Sequence, residues 1–68
     1  MNSLTTREIQ LLSLAANGNS SKQMAHILGI TEQTVKNAVS IILRKLNAYS
    51  RTQAVAMVFS AGLVNLNH

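Results

Sequence analysis

The sequence predicts an all-α protein, a compact four-helix domain containing a helix-turn-helix. Three observations carry this. Ser/Thr-x-x-Glu/Gln boxes open apolar-periodic stretches at Thr5–Glu8, Ser20–Gln23 and Ser50–Gln53. Gly18, Gly29 and Gly62 close stretches of the same kind. No proline interrupts them, and no segment alternates apolar and polar residues as a half-buried strand does. Start signals, stop signals and periodicity all point to the same fold.

The first helix is expected at about 6–16. Thr5 caps it, Glu8 reaches back to Thr5, and Leu4 with Ile9 form a hydrophobic staple across the start. Ile9, Leu12, Ala15 and Ala16 make its apolar stripe, with Leu11 beside it, and Asn17-Gly18-Asn19 stops it. The second helix, about 21–28, buries Met24, Ala25 and Leu28 and ends at Gly29. Thr31 caps the third, about 32–46, and Ile30 and Val35 form a second staple there. Asn47-Ala48-Tyr49 is a short connection. The fourth helix runs from 51 to about 61, with Ala54, Val58 and Ala61 as its stripe. Gly62 stops it, Leu63 is expected to fold back as the apolar contact of a Schellman-type end, and the tail 64–68 is expected to fray.

The third helix organises the chain. Val35, Val39, Ile42, Leu43 and Leu46 recur at helical spacing. At about 100° per residue, the opposite side carries Gln33, Asn37, Ser40 and Arg44, with Lys36 and Lys45 on the flanks. No carboxylate lies between Asn37 and Leu46. Such a face suits the major groove of DNA, where amides and cations meet base edges and phosphates. A merely solvated polar face is the alternative reading. What precedes this helix favours DNA. Small Ala25 lets two helices cross closely, Gly29 accepts the positive φ of a tight corner, and Val35 fills that corner. This is the helix-turn-helix pattern, with the second of its helices presented outward.

Composition agrees and excludes much else. The chain has 68 residues, enough for one domain, and it carries six Lys plus Arg against two acids, a net charge of +4. That balance favours a polyanionic partner. There is no cysteine, and His26 and His68 lie far apart in sequence with only Glu8 and Glu32 as acids, so no metal site and no cofactor is expected. Neither paired carboxylates, an activated nucleophile nor a phosphate-cradling glycine loop is present, so no catalytic residue is assigned and no enzyme is expected. No secretory segment and no membrane span is legible, which is compatible with a cytoplasmic protein.

The residues that carry a resemblance are Leu4-Thr5-Thr6-Arg7-Glu8, Gly18, Ser20-Ser21-Lys22-Gln23-Met24-Ala25 and Leu28-Gly29-Ile30-Thr31. They continue with Thr34-Val35-Lys36, Ile42-Leu43-Arg44-Lys45-Leu46, Ser50-Arg51-Thr52-Gln53-Ala54 and Gly62-Leu63. In this order and spacing the chain resembles the LuxR-type helix-turn-helix domain of quorum-sensing and NarL/FixJ-like response regulators. The resemblance implies transcription regulation in bacteria, with the third helix in the major groove of double-stranded DNA and a homodimer formed through the fourth. It implies base contacts at Lys36, Asn37 and Ser40, and phosphate contacts at Lys22, Thr34, Arg44, Lys45 and Arg51. Arg51 has a second reading, a structural bond to the end of the third helix, and Asn37 that of a surface amide. Two positions depart from the family pattern, where a His is common in place of Ala38 and an Asn in place of Ile41.

Val55, Met57 and Phe59 cannot all join the stripe of the fourth helix and are assigned to the dimer interface. The resemblance also implies a receiver or ligand-binding domain elsewhere in a full-length regulator. A rival reading is an interaction module that heterodimerises with a full-length relative and antagonises it. Its motives are the thin basic face and the exposed apolar surface expected at Ile41.

Overall fold

The computed structural model describes residues 4–62. It contains α1 (Thr6–Ala16), α2 (Ser21–Leu28), α3 (Glu32–Leu46) and α4 (Arg51–Ser60), with no strand among the described residues. The expectations placed on Leu63 and on the tail 64–68 lie outside the described residues.

Local chemistry sets the boundaries. The Glu8 N–H donates to Thr5 Oγ1 at 3.1 Å while the Thr5 N–H donates to Glu8 Oε1 at 2.8 Å, a reciprocal box. Ser20 and Gln23 repeat it at 3.1 and 2.8 Å. The third box departs from expectation. Ser50 Oγ accepts from the Gln53 N–H at 3.2 Å, but the Gln53 side chain accepts from the Tyr49 N–H, one residue earlier than Ser50.

Three helices end in the same way. Residue 19 donates to the carbonyl of 14, 30 to 25 and 48 to 43, the long bond of a Schellman motif. Glycine supplies the left-handed residue in the first two ends. In the third it is Asn47 at φ 55°, a helix stop read from sequence only as a connection. At Gly29, φ is 70° and no atom lies within 4 Å of where a Cβ would stand. Glycine is needed there for its backbone and not for space.

The core is Leu11, Leu12, Met24, Ala25, Val35, Ile42, Leu46, Ala54 and Val58. Leu11 is as buried as Leu12, so it belongs to the core itself and not beside the stripe. Fully burying each large member contributes roughly 1.5–3 kcal/mol. Leu4, Ile9 and Ile30 pack against this core, as the two staples require. α1 packs on each of the other three helices, and α3 packs on α2 and α4 as well. On α4 the stripe is shorter than expected. Ala54 and Val58 are buried, whereas Ala61 is the exposed cap residue, because α4 stops at Ser60.

Candidate nucleic-acid interface

Ala25 and Val35 are both buried on either side of Gly29, and this packing sets the angle between α2 and α3. Once Val35, Ile42 and Leu46 point inward, helical periodicity turns Gln33, Asn37, Ser40 and Arg44 outward, and all four are exposed. The helix starts at Thr31, whose Oγ1 accepts from the Thr34 N–H at 3.1 Å and lies 2.7 Å from the Thr34 hydroxyl.

The polar side chains of this face are linked in pairs. Gln33 Nε2 donates to Asn37 Oδ1 at 3.0 Å, one turn apart. Lys36 Nζ stands 3.5 Å from Glu32 Oε2, with the two side chains 58% and 47% exposed. An exposed pair of this kind is worth about 0.3–0.5 kcal/mol, so Lys36 exchanges it readily for a phosphate or a base. Glu32 and Gln33 are the partners of the contact residues Lys36 and Asn37, and their i,i+4 spacing is the sequence signal for both pairs. Ser40 and Arg44 are exposed on the same face. Arg44 also lies in the last turn, where a cation is favoured by the helix dipole.

The remaining expected phosphate contacts are placed differently. Lys22 is exposed in the first turn of α2. Arg51, at the start of α4, is half-buried, and its Nη1 donates to Ser21 Oγ at 3.4 Å. Its structural bond therefore reaches α2, not the end of α3. Lys45 Nζ donates to both oxygens of Glu8 at 3.0 Å, and the side chains are 30% and 12% exposed. The Glu8 carboxyl is held below its ordinary range, first by the Thr5 backbone N–H and then by Lys45, with burial opposing both. Sequence spacing gives no signal for a contact between residues 8 and 45.

Ala38 is half-buried against the core, and Ile41 is 45% exposed. On α4, Val55 is half-buried and lines a shallow groove with Ala15, Ala16, Arg51 and Thr52. Phe59 is 49% and Met57 37% exposed. Val55 and Phe59 lie one turn apart on one flank, while Met57 falls about 160° round the helix from Phe59. A single helix-to-helix contact therefore does not take in all three.

A helix-turn-helix whose second helix turns amides, hydroxyls and cations outward defines a DNA-binding domain. The chain belongs to the luxR family of bacterial regulatory proteins, whose family model matches residues 2–58. It is 44% identical over 63 residues to the transcriptional regulatory protein DegU of Brevibacillus brevis, a match covering 93% of this chain and 27% of DegU. Its fold is that of the transcription factor GerE, with a TM-score of 0.91 and 31% identity, covering 98% of this chain and 100% of that one. It also resembles part of VqmA in a Vibrio cholera VqmA–ligand–DNA complex, with a TM-score of 0.82 and 27% identity over 93% of this chain and 28% of VqmA. Family membership makes this domain a regulatory one and not an enzymatic one. No helix among the described residues is long and apolar enough to cross a membrane.

Proposed function

We propose that this domain binds duplex DNA sequence-specifically as a homodimer, each copy laying α3 in the major groove. The observation that carries the reading is the outer face of α3, where Gln33, Asn37, Ser40 and Arg44 are exposed on the side opposite buried Val35, Ile42 and Leu46. Lys36 and Asn37, in the first half of that helix, read base edges with Ser40 one turn on. Lys22 and Arg44 neutralise phosphates, the Thr34 hydroxyl hydrogen-bonds to one, and together they fix register. Arg51 and Lys45 have protein partners and contribute less. Val55 and Phe59 form the centre of the dimer contact on α4, and two half-sites lie about 10 base pairs apart. The protein acts in the bacterial cytoplasm and needs no cofactor. The chain spans 27% of the length of DegU and the whole of GerE, and the control step is proposed to come from a receiver or ligand-binding domain, on the same polypeptide or on a separate one.

The test is selection of duplexes from a random library by the wild-type chain, followed by nuclease protection on a selected duplex. Recovery of a two-fold symmetric sequence with two protected half-sites supports the reading. Exposed Ile41, and the engagement of Lys36 and Lys45 by acids, favour the second reading of an interaction module. That reading predicts mixed dimers with a longer relative and no protected duplex.

A further inference from the structure

Both acids of the chain meet lysines of α3, but in unlike ways. Glu32 and Lys36 are neighbours on one helix, well exposed, with a single contact at 3.5 Å. Glu8 and Lys45 join separate helices. Two 3.0 Å bonds hold them, and only 12% of the Glu8 side chain is exposed. Glu8 Oε1 also accepts the Thr5 N–H at 2.8 Å, so one carboxylate closes the cap of α1 and fastens the last turn of α3. If Lys45 left for a phosphate, a covered carboxylate would lose its cation, which is costly in proportion to its burial. Lys36 pays no comparable cost on leaving Glu32.

We propose that Glu8 and Lys45 are a positioning pair. They fasten the C-terminal turn of α3 to the first turn of α1, set the tilt at which the outer face of α3 meets DNA, and keep Lys45 out of the set of phosphate contacts. The inference rests on the DNA-binding reading above and differs from the direct role that the family resemblance implies for Lys45. Core packing of Ile42 and Leu46 holds α3 against the domain. The ion pair lies at the rim of that packing, where it adds a directional restraint that apolar contacts lack.

The experiment uses the whole chain and a duplex selected by the wild type. Binding is followed by fluorescence anisotropy across a salt series for wild type, Glu8→Gln, Lys45→Met and the double variant. Gln at position 8 keeps an acceptor for the Thr5 N–H, and circular dichroism verifies that each variant is folded. A phosphate contact adds about 0.9 to the slope of log affinity against log salt. The expected result is a wild-type slope in Lys45→Met, with affinity lowered on the order of fivefold and no further loss in the double variant, as coupled residues behave. Residual dipolar couplings should show α3 turned relative to α1 in Lys45→Met. A slope shallower by about 0.9, additive losses, or an unchanged α3 orientation overturns the proposal while leaving DNA binding intact. Failure of the wild type to select or bind any duplex overturns the DNA-binding reading and this inference with it. Should Lys45→Met not fold, Glu8→Gln decides: the released Lys45 is expected to reach a phosphate and steepen the slope by about 0.9, and an unchanged slope contradicts the positioning role.

Discussion

Lys36 Nζ stands 3.5 Å from Glu32 Oε2, one turn back on α3, and both side chains are about half exposed. The contact steadies the first turns of the helix yet is weak enough to give way to DNA. Lys36→Ala is expected to weaken binding to a selected duplex by about 1–3 kcal/mol and to relax specificity at one base pair. A gel-shift titration against the selected duplex and its single-base variants measures this, and equal affinity of wild type and variant rules out the role.

The same relationship makes Glu32 a brake on non-specific binding. Its carboxylate neutralises Lys36 in the free protein and repels phosphates near the start of α3. Glu32→Gln is therefore expected to raise affinity for mixed-sequence DNA more than for the selected duplex, most clearly at low salt. Anisotropy with both duplexes gives the ratio, and a ratio equal to that of wild type would argue against the brake.

Glu8 ties stability to pH. Its carboxyl titrates below its ordinary range in the folded chain. The contribution is therefore fully present above the unfolded carboxyl's pKa and is lost as pH falls through the lower, folded value. Melting temperature should drop on acidification across that window in the wild type and less so in Glu8→Gln. Parallel pH profiles for the two proteins would contradict this.

Gly29 is required for its φ of 70°, since its surroundings leave room for a side chain. Gly29→Ala is expected to cost about 1–2 kcal/mol. In a domain this small each kcal/mol lowers the melting temperature by about 4–8 °C. Gly29→Asn, which tolerates the left-handed region better, should lose less. Equal losses for the two variants would indicate a steric and not a conformational requirement.

Val55 and Phe59 share one flank of α4, and Met57 lies on the other. Phe59→Ser is expected to shift the chain toward monomer in sedimentation analysis, whereas Met57→Ser leaves the association unchanged. The opposite pattern would move the dimer contact to the other side of α4.

The fold was legible because its signals are local. Thr5, Ser20, Thr31 and Ser50 each accept the N–H three residues ahead, so reading four residues at a time finds every helix start. The inward stripe of α3 follows from spacing, and the outward set Gln33, Asn37, Ser40 and Arg44 follows from the stripe. Asn47 was less legible as a stop, because asparagine takes the left-handed region only in context. The α4 stripe was overextended because Ala61 fits the period but falls on the cap. What sequence could not give is tertiary. Glu8 and Lys45 are 37 positions apart, and Arg51 meets Ser21 across 30. Only the tertiary fold, which brings α1 against α3 and the start of α4 to the start of α2, reveals that these two cations already have protein partners.

On the proposed function, the outer face of α3 is the surface that meets DNA. The most direct measurement is titration of the isotopically labelled chain with a selected duplex, followed by NMR amide shifts. The largest changes are expected at 32–44, with smaller ones at Lys22 and little change across the outer side of α4. Changes confined to α4, or to the exposed Ile41 and Tyr49, with Lys36, Asn37 and Ser40 unmoved, would contradict it.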